Sequence, residues 1–347
     1  MLSAFALCGA LALGLVACGD DDSADEPSGQ PAASDGKVTL YSGRNEKLVQ
    51  PLIDQFTKDT GIKVEVRYAG TAQLAAQLLE EGDRSPADVF FAQDAGALGA
   101  VSKAGLFAPL PQATLDAVPE GFRAADGTWV GVTARARVLA YNSDQIPEAD
   151  LPASVFELTE PQWRGKVGVA PTNASFQAFV TAMRVQHGDD RTREFLAGLA
   201  ANDPQIRDSN GAILEEVDSG SIAVGLINHY YLGELAAERG VKPEELKAKL
   251  HFFPNGDIGA LVNVAGVGVL ATAADDPDAQ VLVDYLLETD AQTYFAEKTF
   301  EYPVLAGVPG PAGLPALSEL TVPEVDLNDL DDLETTIKLI QESGLTP

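Results

Sequence analysis

The sequence WVGVTARARVLAYN, from Trp129 to Asn142, is apolar or small at most positions and contains no turn signal. Its fourteen residues exceed the five or six of an ordinary strand. A strand of this length is able to run through two neighbouring lobes. The segment Asn255–Leu270 has a similar character and predicts a second crossing, back to the first lobe. We therefore expect two lobes joined by two crossings.

Strand and helix patterns alternate on both sides of this segment. Before it, period-two and helical spacings follow one another in Val38–Ser42, Asn45–Thr60, Lys63–Tyr68, Ala72–Glu81, Ala87–Phe91 and Ala95–Lys103. After it come Val167–Ala170, Ser175–His187, Thr192–Leu199, Ile213–Val217, Ile222–Ile227, Leu232–Arg239 and Asp278–Glu288. This alternation is typical of an α/β protein with a parallel sheet and helices on both faces. In open sheets of this class, ligands bind beyond the carboxyl ends of the strands.

Size, charge and cysteine content limit the class of protein. The body of the chain, from Lys37 onward, has about 310 residues, which is more than one hydrophobic core usually holds, so two domains are expected. The chain carries 23 Lys and Arg against 52 Asp and Glu, a formal net charge of −29, which argues against a nucleic-acid partner and favours solubility. Both cysteines, Cys8 and Cys18, precede the body. The body therefore contains neither a disulfide nor a thiolate metal site.

The first 36 residues predict export. Residues 1–17 are apolar, end in Leu15-Val16-Ala17 before Cys18, and resemble a signal peptide with the lipobox of bacterial lipoproteins. They are short for a membrane span, and a buried N-terminal helix is the alternative. Residues 18–36 are acidic, rich in Gly, Ser and Pro, and lack an apolar period, which predicts a disordered tether. We expect an exported protein that lipidated Cys18 anchors to the extracytoplasmic face of the cell membrane.

The run Gly225–Leu232, GLINHYYL, ends a predicted buried strand in two adjacent tyrosines, Tyr230 and Tyr231. An unperturbed phenol has a pKa near 10, so it is an anion at neutral pH only where a strong positive charge, such as a hard trivalent cation, stabilises the phenolate. The alternative is structural. Neighbours in a strand face opposite sides, so one tyrosine would pack in a core while the other faces solvent. By the same alternation, we expect the side chain of His229 to point away from that of Tyr230.

Five separated segments together resemble one family, the ferric-ion-binding solute receptors of bacterial iron ABC importers. The segments are Leu40–Asn45, Ser85–Gly96, Ala134–Asn142, Pro171–Phe176 and Leu226–Tyr231. The resemblance covers residues 38–299 and implies a two-lobed periplasmic-binding-protein fold with two interlobe crossovers (type II). It implies residues 37–136 and 261–311 in lobe 1, and residues 137–260 and 312–347 in lobe 2. It also implies a monomeric, non-enzymatic receptor that delivers Fe(III) to a membrane permease and its ATPase.

The resemblance further implies a set of ligands for the ferric ion. Tyr230 and Tyr231 match phenolate ligands, and Tyr141 matches a third tyrosine used by one branch of the family. Another branch has a histidine where this chain has Asn45 and a glutamate where it has Gln93, so these two residues are candidate first-lobe contacts only. The chain therefore resembles the branch that completes its site with carbonate or bicarbonate.

Such a synergistic anion needs its own positive partner. A guanidinium binds planar carbonate with two hydrogen bonds, and the resemblance assigns this role to Arg44, with Arg137 or its neighbour Arg135 as a second candidate. The Ser175 region also begins a helix, whose free N–H groups favour anions. Four residues match positions that hold the anion in a branch that uses phosphate: Asn173, Ser175, Asn210 and Asn228.

Three other functions are compatible with the same residues, and one of them is a purely structural surface lipoprotein. Another is a receptor of the same fold for an organic ligand or oxyanion such as a polyamine, thiamine, sulfate or phosphonate. The coincidence of three tyrosines and the lack of an aromatic cage argue against it. The third is an enzyme such as a hydrolase, but no G-x-S-x-G, zincin or Walker motif occurs in the chain.

Overall fold

The computed structural model describes residues 34–346, and its strands alternate with helices as the sequence predicts. The signal segment, Cys18 and nearly all of the predicted tether lie outside the described residues. The strands are β1 (Lys37–Ser42), β2 (Lys63–Tyr68), β3 (Val89–Ala92), β4 (Val130–Asn142), β5 (Val167–Val169), β6 (Gln205–Ile206), β7 (Val224–Asn228), β8 (Ala248–His251), β9 (Val262–Val269) and β10 (Tyr302–Pro303).

The helices begin and end at residues that favour these positions. Asn45 caps the first helix by accepting a hydrogen bond from the Lys47 N–H, and Gly61 ends it at a φ of +78°, a conformation that glycine adopts without strain. The helices are α1 (Glu46–Thr60), α2 (Thr71–Glu81), α3 (Ala95–Lys103), α4 (Gln112–Asp116), α5 (Ala174–Ala201), α6 (Asn210–Ser219), α7 (Tyr231–Arg239), α8 (Pro277–Leu286), α9 (Thr289–Tyr294) and α10 (Leu333–Glu342).

Helix α5 consists of two arms. Gly188 has a φ of +81° and a ψ of 163° within it, which no helical residue adopts, so the chain breaks there. The arms correspond to the predicted helices Ser175–His187 and Thr192–Leu199, and both predictions are confirmed.

Strand β4 belongs to both halves of the sheet, whose order is β2-β1-β3-β9-β4-β7-β5-β6. Its first part, Val130–Ala136, pairs with β9, and its second part, Arg137–Tyr141, pairs with β7. All thirteen residues of β4 are buried, which explains its continuous apolar pattern. The outer strands pair in parallel, but β4 runs antiparallel to both neighbours. The sheet is therefore mixed rather than purely parallel.

The second crossing is shorter than the sequence pattern predicts. Asn255 and Gly256 have φ values of +59° and +69°, and a short 3₁₀ turn occupies Ile258–Ala260. These left-handed residues end any extended conformation, so β9 begins only at Val262. The chain joins β4 at Leu261, whose carbonyl accepts a hydrogen bond of 2.7 Å from the Arg137 N–H. The lobe boundaries drawn from the sequence remain a prediction.

The C-terminal segment contacts both halves of the molecule. The hydroxyls of Thr336 on α10 and Thr181 on α5 are 2.8 Å apart. On the other side, the Lys103 ammonium lies 2.7 Å from the Asp331 carboxylate. Within residues 34–346, none of the helices has the length and apolar character needed to cross a membrane.

Candidate metal centre

The tyrosine pair lies at the junction of β7 and α7. The strand ends at Asn228, and Tyr230 already has helical backbone angles as the residue before α7. The two phenol rings stack, with centroids 4.4 Å apart and an interplanar angle of 29°. Because neither tyrosine belongs to the strand, strand alternation does not apply to them, and both line the same two cavities. The reading with one ring in the core and the other in solvent is wrong.

Burial controls the protonation of Tyr230. Burial, and secondarily the neighbouring phenol of Tyr231, raises the pKa of Tyr230 well above its usual value. The phenol of Tyr230 is therefore neutral at physiological pH unless a cation replaces its proton. Among residues 34–346, the side chains of His, Cys, Asp and Glu form no group of three that could hold a metal ion. The two phenols are the candidate metal ligands of this region.

The buried His229 has a structural role. Its Nδ1 accepts a hydrogen bond of 3.1 Å from the Ala136 N–H, and its Nε2 lies 3.0 Å from the Phe300 carbonyl oxygen. Burial lowers its pKa to about 4, so the ring is neutral, with Nε2 as the donor. Both ring nitrogens are engaged. His229 therefore does not bind metal in this conformation. Its ring lies 5.9 Å from the ring of Tyr230, edge to face, so the prediction that these two side chains point apart is not supported.

A first cavity of about 150 Å³ opens on one side of the tyrosine pair. On its wall, the Ser175 hydroxyl donates to Asn173 Oδ1 at 2.7 Å and accepts from Asn210 Nδ2 at 2.8 Å. Asn173 also caps α5 by accepting from the Ser175 N–H at 3.0 Å. The Asn210 Oδ1 atom is buried and has no hydrogen-bond partner among the described residues. These predicted anion-binding residues are thus joined in one network at a helix N-terminus.

Arg137 brings a buried positive charge to the first cavity. It is 2% exposed and donates to the Ser175 hydroxyl at 3.1 Å, to Asn228 Oδ1 at 3.4 Å and to the Leu226 carbonyl oxygen at 2.9 Å. No carboxylate within residues 34–346 forms an ion pair with it, and burial lowers its pKa to about 9, which leaves the guanidinium charged at pH 7. A buried cation without a counter-ion is costly. Arg137 therefore favours an anion in the first cavity, whose wall also includes Arg135 and the carboxyl group of Asp94.

A second cavity, of about 320 Å³, opens on the other side of the pair and contains Arg44. Both nitrogens of its guanidinium fork bind the carboxylate of Glu301, and the side chains are 3% and 4% exposed. Burial raises the pKa of Glu301, but Arg44 and then Arg135 outweigh this effect, so the carboxyl group titrates below its usual range. The prediction that Arg44 clamps a carbonate is therefore not supported, because Glu301 already occupies its fork. Sequence reasoning missed Glu301, which lies 257 residues from Arg44.

The two candidate first-lobe contacts differ in position. Asn45 is exposed at the rim of the second cavity, and its side chain is used to cap α1. Gln93 lines both cavities together with Tyr230 and Tyr231, and its Oε1 accepts a hydrogen bond of 2.9 Å from Arg44. Of the two, Gln93 is therefore the residue that the structure brings to the tyrosine pair.

Tyr141 is not brought to the first or the second cavity. It lies on β4 opposite Lys249 of β8 and lines a separate cavity of about 1250 Å³, which Tyr230 borders but Tyr231 does not. Burial, and secondarily Glu148, raises its pKa. The prediction that Tyr141 completes a set of three tyrosine ligands is not supported by this geometry. Tyr141 and Arg137 share a face of β4 but lie four residues apart along the strand.

A model of the family described as bacterial extracellular solute-binding protein matches residues 84–331. The chain belongs to this family. One relative of this solute-binding protein is the Fe(3+)-binding periplasmic protein of Serratia marcescens, 35% identical over 317 residues that cover 91% of this chain and 93% of the relative. Another is iron uptake protein A2 of Synechocystis sp., 36% identical over 322 residues, covering 90% and 91%.

Solved structures resemble this solute-binding protein over nearly their whole length. Iron-bound HitA from Pseudomonas aeruginosa has a TM-score of 0.81 and 36% identity, covering 89% of this chain and 99% of that one. Apo ferric ion-binding protein A of Pasteurella haemolytica has a TM-score of 0.79 and 29% identity, covering 90% and 99%. The family resemblance and the two-lobed type II α/β fold predicted from the sequence are confirmed.

Proposed function

We propose that this solute-binding protein is the substrate-binding component of an Fe(III) importer. Tyr230 and Tyr231 bind the ferric ion as phenolates, and a carbonate or bicarbonate ion binds beside it in the first cavity. The observation that carries this proposal is the stacked tyrosine pair beside Arg137, whose buried charge has no carboxylate partner among the described residues. The iron-binding relatives of similar length support it.

The chemistry of the cavity walls suits this cargo. Ferric ion is hard and prefers oxygen ligands, and two phenolates neutralise two of its three charges. The anion is held by Arg137 and by the amide and hydroxyl groups around Ser175, at the N-terminus of α5. Each phenol must lose its proton to bind, and the raised pKa of Tyr230 makes protons strong competitors. Affinity therefore falls as the pH falls.

The relatives and the N-terminal sequence support a place for the protein in transport. One relative is named an Fe(3+)-binding periplasmic protein, and Cys18 is predicted to carry a lipid anchor. We propose that the protein works at the extracytoplasmic face of the membrane as a monomer and delivers its ion to a permease powered by an ATPase. Closure of the lobes by hinge motion at the crossings would sequester the ion before delivery.

The test is a visible-light titration of metal-free protein with ferric citrate, with and without bicarbonate. Wild-type protein is expected to develop a phenolate-to-iron charge-transfer band that strengthens with bicarbonate. Arg137→Gln is expected to lose the bicarbonate dependence and to bind iron about 10- to 100-fold more weakly, as is typical for groups that support a metal site. Arg191→Gln, which changes an arginine with a 54% exposed side chain, is the matched control.

The absence of any band in wild-type protein would overturn the proposal. Calorimetry with sulfate, a phosphonate, a polyamine and thiamine would then test the alternative receptors of the same fold. Binding of a simple oxyanion that requires Arg137 but no metal would establish that alternative.

Tyr141→Phe is expected to keep the charge-transfer band and to change the ferric affinity by less than about twofold. The reason is that Tyr141 lines the separate large cavity and not the two that Tyr231 lines. Competition with citrate, followed at the band maximum, measures the affinity. Loss of the band in this variant would restore Tyr141 to the ligand set and would show that the bound form differs from this arrangement.

A further inference from the structure

Glu234 is a carboxylate that the predicted ligand set does not include. It lines the second cavity together with Tyr230, Tyr231 and Gln93. On the helix it lies four residues after Tyr230 and three after Tyr231. Residues at these spacings share one helix face, and helical side chains lean towards the N-terminus, over the preceding turn. The sequence therefore places the Glu234 carboxylate over the turn that carries both tyrosines.

This carboxylate has no cation and no hydrogen-bond donor among the described residues. Burial, and secondarily the charge of Glu301, raises its pKa to about 7. The other acids near the pair are already engaged. Glu301 is held by Arg44, and Asp94 caps α3 by accepting from the Ala97 N–H at 3.0 Å. Glu234 is the acid beside the tyrosines that remains available to a cation.

The position of Glu234 and the balance of charge around the tyrosine pair suggest a role for its carboxylate. We propose that Glu234 is a third protein ligand of the ferric ion, bound through a carboxylate oxygen on the second-cavity side, opposite the anion on the Arg137 side. The proposal rests on the ferric function proposed above. Two phenolates and one carboxylate together supply three negative charges, which match the charge of Fe(III), and all three are oxygen donors of the kind that a hard cation prefers. Glu234 thereby replaces the charge that Tyr141 does not supply.

The competing explanation is that Glu234 merely belongs to the polar face of α7. The two explanations differ in what Glu234→Gln does. A ligand role predicts about 10- to 100-fold weaker ferric binding in competition with citrate. It also predicts a shift of the charge-transfer band to longer wavelength, because iron that loses a carboxylate becomes a stronger Lewis acid. The substitution removes an unpaired carboxylate, so the melting temperature of the metal-free variant should be equal to or above that of wild type.

Glu238→Gln is the matched control, since Glu238 lies one turn further along α7 and is exposed. It should leave affinity, band position and melting temperature unchanged. If wild type binds iron and Glu234→Gln equals Glu238→Gln in both affinity and band position, the role of Glu234 is refuted while the ferric function stands. If wild-type protein shows no band, the ferric function fails, and the role of Glu234 fails with it.

Discussion

Tyr230→Phe is expected to weaken ferric binding by more than about 100-fold, beyond the range typical of groups that only support a metal site. The variant loses one of the two phenolate oxygens that are proposed to bind the ferric ion. The charge-transfer band should weaken to that of the single remaining phenolate of Tyr231 or disappear. Titration with ferric citrate in the presence of bicarbonate, followed by citrate competition, measures both effects.

The fold should tolerate this substitution. Phe keeps the ring that stacks on Tyr231 at 4.4 Å, so the melting temperature of metal-free protein should match that of wild type. Tyr141→Phe removes the same hydroxyl group from a tyrosine that lines the large separate cavity. It therefore controls for general effects of losing a hydroxyl. A Tyr230→Phe variant that binds iron with the wild-type band and affinity would refute the tyrosine site.

Glu301→Gln is expected to lower the free energy of unfolding by about 3 to 5 kcal/mol, the usual cost of breaking a buried ion pair by removing one partner. Glutamine has nearly the same shape but no charge. Arg44 and Arg135 would then remain buried without a counter-charge, since the side chains of Arg44 and Arg135 are 3% and 6% exposed. Urea unfolding of metal-free protein at pH 7 measures the loss.

The stability difference between wild type and Glu301→Gln should depend on pH in a defined direction. The folded pKa of Glu301 lies below its unfolded value, so its contribution is fully present above the ordinary carboxyl pKa and is lost as the pH falls through the folded pKa. The gap between wild type and variant should therefore persist at neutral pH and shrink only in strong acid. Glu65→Gln alters an exposed ion pair with Lys37 and should have the same free energy of unfolding as wild type. Equal stability of Glu301→Gln and wild type would contradict the prediction.

The sequence predicted most elements and the residues around the first cavity. Helix and strand periods are local, and the resemblance to a family assigns roles position by position. The sequence alone therefore predicts Asn173, Ser175, Asn210 and Asn228 as one group of anion-binding residues. The roles of Arg44 and Tyr141 could not be predicted in this way. The guanidinium of Arg44 is occupied by the carboxylate of Glu301, a partner far along the chain. No local sequence pattern indicates which arginine already forms such an ion pair.

Glu234 represents a different kind of omission. Its spacing of three and four residues from the tyrosines is visible in the sequence, but it is informative only if a helix begins at Tyr231. From the sequence alone, the tyrosines are expected at the end of a strand and the helix is expected to begin at Leu232. An element boundary that was wrong by one residue therefore concealed a candidate ligand, because the helical face of Glu234 includes Tyr231 only when that residue is helical.

The change of partner along β4 occurs at a single peptide, between Ala136 and Arg137. Ala136 exchanges two hydrogen bonds with His229, and the Arg137 N–H is held by the Leu261 carbonyl oxygen. Any rotation of one half of the molecule against the other twists this peptide, and Arg137, one of the charged residues that line the first cavity, is attached directly to it. Under the proposed function, anion binding and lobe rotation would therefore act on the same peptide of β4.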